Sequence, residues 1–327
     1  MPKVAVVFNG GTISMKVDER IQAAVPTLSG EEIMSMVTGI EGHAEVESFT
    51  FSNLPGPHIT PEKMMELSMY VQNILLREDI VGVVITHGTD TLEETAYLLD
   101  LTINSEKPVI VTGSMRNSSE LGYDGPANLS ASICTAISDK AKGKGVMVCL
   151  NDELNCASEV TKSHSMKLNT FQSPEFGHIG IVDNNEVIFH RNILNKIHID
   201  TDRIDTRVEL IKCASGMDSK IIDFYLENGV KGIVIEALGR GNVPPKMVDG
   251  IKKAILMGVI VVVVSRCYCG RVLDTYGYPG GGKELRNIGV IFGDALPGQK
   301  ARIKLMLALG KTNNINEIKK IFEMLPN

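Results

Sequence analysis

Runs of β-branched apolar residues alternate along this chain with stretches whose apolar positions recur at helical spacing. Val4-Ala5-Val6-Val7-Phe8 is continuously apolar, as a strand buried on both faces should be, and it stops at Asn9-Gly10-Gly11. The pattern then predicts a helix over Gly30 to Val37, with Ser29 as N-cap and Glu32 as its capping-box partner. A second helix is predicted over Pro61 to Arg77, with Thr60 as N-cap and Pro61 at the first helical position. Strands follow at Ile80 to Thr86, Val109 to Thr112 and Val146 to Leu150, separated by helices at Thr91 to Asn104 and Ala127 to Ser138. Such alternation implies parallel βαβ units with helices on both faces of the sheet.

The pattern changes over 181–210. Val187 to His190 and Ile197 to Ile199 read as short strands between polar turns, and Ile204 to Arg207 as a charged linker. A second alternating series starts at Val208-Glu209-Leu210-Ile211. It continues with helices at Ile221 to Asn228, Pro245 to Met257 and Gln299 to Leu309, and strands at Gly232 to Ala237 and Val259 to Ser265. The expected fold class is therefore α/β, in two α/β domains. A larger N-terminal domain (1–190) has a doubly wound, mainly parallel sheet. A linker (191–210) leads to a smaller C-terminal parallel-sheet domain (211–327).

Composition narrows the function classes. The apolar share of 43% and charged share of 22% are ordinary for a globular protein. The longest apolar stretch, Gly258 to Val264, is far below the ~18 residues a membrane span needs. The N-terminus passes straight into an apolar strand without the longer core of a secretory signal, so a cytoplasmic protein is expected. A net charge of -6 argues against nucleic acid as the main partner. Six cysteines in a chain this long do not read as a disulfide framework. Cys134, Cys149 and Cys213 fall in apolar or helical stretches and read as core thiols. Cys267-Tyr268-Cys269 lacks a second Cys/His pair, so no metal site is expected.

Three polar loops carry the candidate chemistry, since an open parallel sheet builds its site at the strand ends. In Asn9-Gly10-Gly11-Thr12-Ile13-Ser14, the glycines allow close backbone approach and Thr12 presents a hydroxyl; a plain βα turn explains it equally well. A dinucleotide site is a poor reading, because neither Gly-x-Gly-x-x-Gly nor a P-loop lysine is present. In Thr86-His87-Gly88-Thr89-Asp90-Thr91, Asp90 and Thr91 are either caps of the next helix or reactive groups. In Val160-Thr161-Lys162-Ser163-His164-Ser165, Lys162 taken alone reads as a surface lysine.

Together, in this order, these loops resemble the bacterial-type asparaginase family. Asn9-Gly10-Gly11-Thr12-Ile13 resembles its Thr-Gly-Gly-Thr-Ile signature, with Asn in place of the first Thr. Ile85 to Glu93 matches its second signature throughout, and Lys162 stands in a setting like that of its catalytic lysine. Thr112-Gly113-Ser114-Met115-Arg116, Asp124 to Leu129, Asp205 to Val208, Gly239 to Asn242 and Lys300 to Arg302 also resemble family segments, so the likeness runs nearly end to end.

The resemblance implies hydrolysis of a side-chain carboxamide through an acyl-enzyme. Thr12 would be the nucleophile; Thr89, Asp90 and Lys162 would form a second catalytic group, with Asp90 also holding the substrate's α-amino group. No metal or organic cofactor is implied, and the usual assembly is a homotetramer whose sites are completed by a neighbouring C-terminal domain. The expected partners are a small-molecule amide and further copies of the chain, as a dimer or tetramer, with no nucleic acid and no membrane. Gly11, Gly56, Gly88 and His58 count as candidate substrate-binding positions. Two departures bear on the substrate. The family's lid tyrosine has no counterpart between Met15 and Val25, and its carboxylate-binding serine falls near Gly56. Arg20 is the candidate replacement for reading a carboxylate. Tyr276, Tyr278 and Glu284 are the candidates for approaching Thr12. L-Asparagine is the leading substrate. D-Asparagine, glutamine or a small peptide amide stay open, as does a racemase or binding protein on the same fold.

Overall fold

In the computed structural model, which describes residues 1–193 and 196–323, the first apolar run forms β1 (Lys3–Gly10). Val4, Val6 and Phe8 join one apolar cluster, while Ala5 and Val7 join a second on the opposite face. Side chains alternate across a strand, so a sheet covered on both faces needs an unbroken apolar run here. The chain divides into two compact units, Met1–His198 and Ile199–Asn327.

In the first unit, a hairpin of β2 (Met15–Asp18) and β3 (Ala23–Pro26) follows β1. Next come α1 (Gly30–Ser35) and β4 (Glu45–Leu54). The expected capping box of α1 is present, with Ser29 and Glu32 bonded reciprocally. Then follow α2 (Pro61–Leu75), capped by Thr60, β5 (Ile80–Thr86), α3 (Leu92–Thr102), β6 (Val109–Thr112), α4 (Gly125–Ile137) and β7 (Val146–Leu150). The unit ends with β8 (Glu153–Cys156), a short ladder of β9 (Thr161–Lys162) and β10 (Phe171–Gln172), and β11 (Gly180–Asp183) with β12 (Glu186–Phe189). The main sheet has the order β12-β11-β8-β7-β6-β5-β1-β4. It is parallel from β4 to β7 and antiparallel beyond.

Several expectations need correction. No strand forms at Ile197 to Ile199, and β4, the β2–β3 hairpin, β8 and β11 were not expected. β4 is an edge strand that pairs only with β1, and its residues are partly exposed. Without deep burial on both sides its apolar signal is weak. Thr91 precedes α3 but makes no side-chain cap; its hydroxyl donates to Gly56 O at 2.9 Å.

The second unit holds β13 (Val208–Lys212), α5 (Lys220–Glu227), β14 (Gly232–Ala237), α6 (Val248–Leu256) and β15 (Ile260–Ser265). It continues with α7 (Gly282–Asn287), β16 (Ile291–Phe292), α8 (Gly298–Lys311) and α9 (Ile315–Glu323). Its four strands are parallel, in the order β13-β14-β15-β16. The helix expected from Pro245 to Met257 begins as a 3-10 turn at Pro245–Met247 before α6. No described helix is long and apolar enough to cross a membrane. Cys134, Cys149 and Cys213 are buried, and burial pushes the Cys149 thiol up to about 12; Cys267 and Cys269 are exposed.

Candidate active site

β6, β5, β1 and β4 are neighbours and run in parallel, so the loops after them leave the same edge of the sheet. Register brings Phe8 opposite Thr86 and Gly10 opposite Leu54. This convergence gathers residues that lie far apart in sequence.

At the centre the loop backbones touch. Gly11 has φ of +88°, and a Cβ there would fall 2.3 Å from Gly88 N. A Cβ on Gly88 would fall 2.6 Å from Gly56 N. Only glycine fits a left-handed residue packed so closely on a neighbouring backbone. Gly56 lies in turn beside Asp90, whose Cβ is 3.5 Å from where a side chain at 56 would begin. Thr12 and Thr89 each directly follow one of these touching glycines. Thr12 is half-buried in a 3-10 turn, Thr12–Ser14.

Lys162 reaches this cluster from β9. Its Nζ donates to Thr89 Oγ1 at 2.9 Å and to Asp90 Oδ1 at 2.8 Å. The lysine side chain is 16% exposed and that of Asp90 63%, so the pair sits at the mouth of the site. This is not an unattached surface lysine. Glu93, in the first turn of α3, accepts from Thr161 Oγ1 at 3.0 Å and from Lys162 N at 3.2 Å. Its buried carboxylate holds the strand that carries Lys162. In the sequence Glu93 stands only as the last residue of the Ile85–Glu93 motif, without a role of its own; what marks it is burial, in a helix first turn where an acidic residue is ordinarily solvated.

His87 braces the same loop. Its ring is fully buried between Gly88 O and Thr95 Oγ1, each at 2.8 Å. Burial pushes its pKa down to about 4, which keeps the imidazole neutral. The 112–116 and 124–129 segments form a scaffold behind the site. Asp124 accepts from the N–H groups of Met115 and Arg116, and Asn128 Nδ2 donates to Gly113 O at 3.0 Å. Asn9, where the resemblance expects a threonine, is buried, with its Oδ1 accepting from Ser52 Oγ at 2.6 Å.

The other candidates are placed differently. Arg20 is at the turn of the β2–β3 hairpin, 89% exposed, in a fork with Asp18 at 2.9 Å. That fork occupies the guanidinium proposed to read a carboxylate. His58 is exposed, at the end of the 3-10 turn Gly56–His58. Tyr276, Tyr278 and Glu284 belong to the second unit. The two tyrosine rings pack at 5.7 Å, and Glu284 accepts from Gly280 N and Lys252 Nζ. Backbone and ammonium donors hold that carboxyl below its ordinary range. Among the described residues no group of three or more His, Cys, Asp or Glu side chains is placed to hold a metal ion.

A hydroxyl turn beside a Thr–Lys–Asp cluster, with glycine backbones between, suits attack on an acyl carbon. Comparison with known proteins shows the family. The family model described as Asparaginase, N-terminal matches residues 3–195, and the Glutaminase/Asparaginase C-terminal domain matches residues 207–322. An L-asparaginase of Bacillus licheniformis is 37% identical over 307 residues, covering 94% of this chain and 95% of that protein. A glutamyl-tRNA(Gln) amidotransferase subunit of Pyrococcus abyssi is 33% identical over 339 residues, covering 100% of this chain and 76% of that protein. The crystal structure of a probable cytoplasmic L-asparaginase from Campylobacter jejuni matches with a TM-score of 0.88 at 32% identity, covering 98% of this chain and 99% of that chain.

Proposed function

The chain belongs to the asparaginase family and is an L-asparaginase-like amidohydrolase, and on that premise we propose that it converts L-asparagine to L-aspartate and ammonia through an acyl-enzyme on Thr12. Thr12 Oγ attacks the amide carbon and gives up its proton, and N–H groups of the glycine-containing loops stabilise the oxyanion. The C–N bond breaks as ammonia leaves with a proton. Water then hydrolyses the ester, releasing the carboxylate and restoring Thr12. Thr89, Lys162 and Asp90 relay the protons, and Asp90 holds the substrate's α-amino group.

The observation that carries this reading is Lys162 Nζ within hydrogen-bond reach of both Thr89 and Asp90. A pure binder has no need of a lysine drawn onto a hydroxyl. A second reading is an amide other than asparagine. It is favoured by Gly56 standing where the family's carboxylate-binding serine is expected, and by the relative, similar along this whole chain, that is named as part of an amidotransferase. We propose a cytoplasmic location, in line with the name of the similar Campylobacter jejuni protein, and, following the family resemblance, a homo-oligomer, a dimer or tetramer.

Ammonia release on L-asparagine, D-asparagine and L-glutamine tests both readings. L-Asparagine is expected to be turned over fastest; a higher kcat/KM on either other amide would transfer the assignment to it. Thr12→Ala is expected to fold normally and lose turnover. If it kept more than about a tenth of the wild-type rate, a loss below ~1.4 kcal/mol, Thr12 would not be the nucleophile.

A further inference from the structure

The turn that carries Thr12 is held by an unusually complete set of bonds, and one comes from a side chain 110 residues away. Gly11 O accepts from Ser14 N at 3.0 Å and Ser14 Oγ at 2.9 Å. Thr12 O accepts from Met15 N. Ser14 O accepts from Thr27 N and Leu28 N, each at 2.9 Å. Between them, Ile13 O takes the hydroxyl of Tyr123 at 2.6 Å. The Ile13 side chain is wholly buried in the core, so this residue is pinned from below by packing and from above by the phenol.

We propose that Tyr123 is a positioning residue for the nucleophile: its hydroxyl, bonded to Ile13 O, fixes the turn and with it the orientation of Thr12. The proposal rests on the reading of Thr12 as nucleophile. Three further observations support it. First, a Cβ on Gly125 would meet Tyr123 Oη at 2.5 Å, so the absent side chain at the start of α4 is what lets the ring lie there. Second, burial foremost, with the Asp124 charge beside it, raises the pKa of the phenol. It stays protonated at neutral pH, a constant donor and never a base. Third, the same segment secures the hairpin beyond the turn. Ser118 N and Oγ donate to Met15 O at 3.1 and 2.9 Å, and Ser119 Oγ accepts from Val17 N at 3.0 Å. Residues 118–123 thus bind alternate residues 13, 15 and 17. In a chain with no tyrosine between Met15 and Val25, this strap supplies a phenol to the nucleophile turn from outside the lid.

Misplacing a reacting atom lowers the rate of the chemical step more than it weakens ground-state binding. Tyr123→Phe keeps the ring and removes one hydroxyl, so kcat on L-asparagine is expected to fall about ten- to a hundredfold with KM within twofold. Gly125→Ala keeps the hydroxyl but pushes the ring off Ile13 O. It should lower kcat similarly in the wild type. Melting temperatures of all variants are read alongside. Active wild type, inactive Thr12→Ala and a loss of kcat below fivefold in folded Tyr123→Phe would overturn the positioning role alone. A wild-type chain without amidase activity on any of the three amides would overturn the functional reading and this one with it.

Discussion

Lys162 is the residue whose role differs most between its local sequence and its surroundings. Ser163 to Lys167 around it are exposed, yet its own side chain is mostly covered and ends on Thr89 and Asp90. Lys162→Met keeps the stem and deletes the amine. It is expected to lower kcat at least a hundredfold while binding of L-aspartate, measured by calorimetry, stays detectable. A rate within threefold of wild type would show that the amine plays no part in proton transfer. Arg20 illustrates the reverse. By the family resemblance its position on the β2–β3 hairpin suits a carboxylate reader, but the side chain is exposed and already shares its charge with Asp18. An exposed pair of this kind contributes little, so it does not by itself prevent the guanidinium from exchanging partners.

At the scale of elements, His87 ties the end of β5 to α3 through Thr95. The folded ring has its pKa pushed down to about 4, whereas an unfolded histidine takes a proton near 6.5. Between those values the unfolded chain binds more protons, so stability is lost as pH falls through that window and is fully present above it. Unopposed, the loss is about 3 kcal/mol. Urea denaturation of wild type and His87→Gln from pH 7 to pH 4 is expected to show a shallower acid decline in the variant. Parallel curves would mean that His87 does not contribute to the acid limb.

For the whole molecule, the sheet order decides what meets. The loops after β1, β4 and β5 leave one edge because those strands are parallel neighbours, so Gly11, Gly56 and Gly88 converge from three segments. The candidates Tyr276, Tyr278 and Glu284 stand in the other unit, where Glu284 is engaged with Gly280 and Lys252. If a neighbouring copy brings these residues to Thr12, activity depends on assembly. Light scattering of the purified chain at micromolar concentration is expected to give two or four times the chain mass, with activity falling on dilution into monomers. Full activity in a monomeric fraction would remove the need for a partner copy.

Local pattern determined a good deal of this protein. The β-branched runs at Val4 to Phe8, Ile80 to Thr86 and Val109 to Thr112 read as buried strands, and strands form there. Ser29 with Glu32 and Thr60 with Pro61 marked helix starts that the structure keeps. The His87 to Thr91 motif pointed to the family. Edge strands such as β4 escaped because one-sided pairing does not demand an unbroken apolar run. What tertiary structure alone decided is which groups face one another. Thr91 looks like a cap but donates to Gly56 O, Glu93 looks like a solvated helix charge but holds Lys162, and Tyr123 gives no local sign that it reaches Ile13. The physical reason is range. Propensity and capping act within one turn of chain, whereas these bonds span 35, 69 and 110 residues and exist only once distant segments are folded against one another.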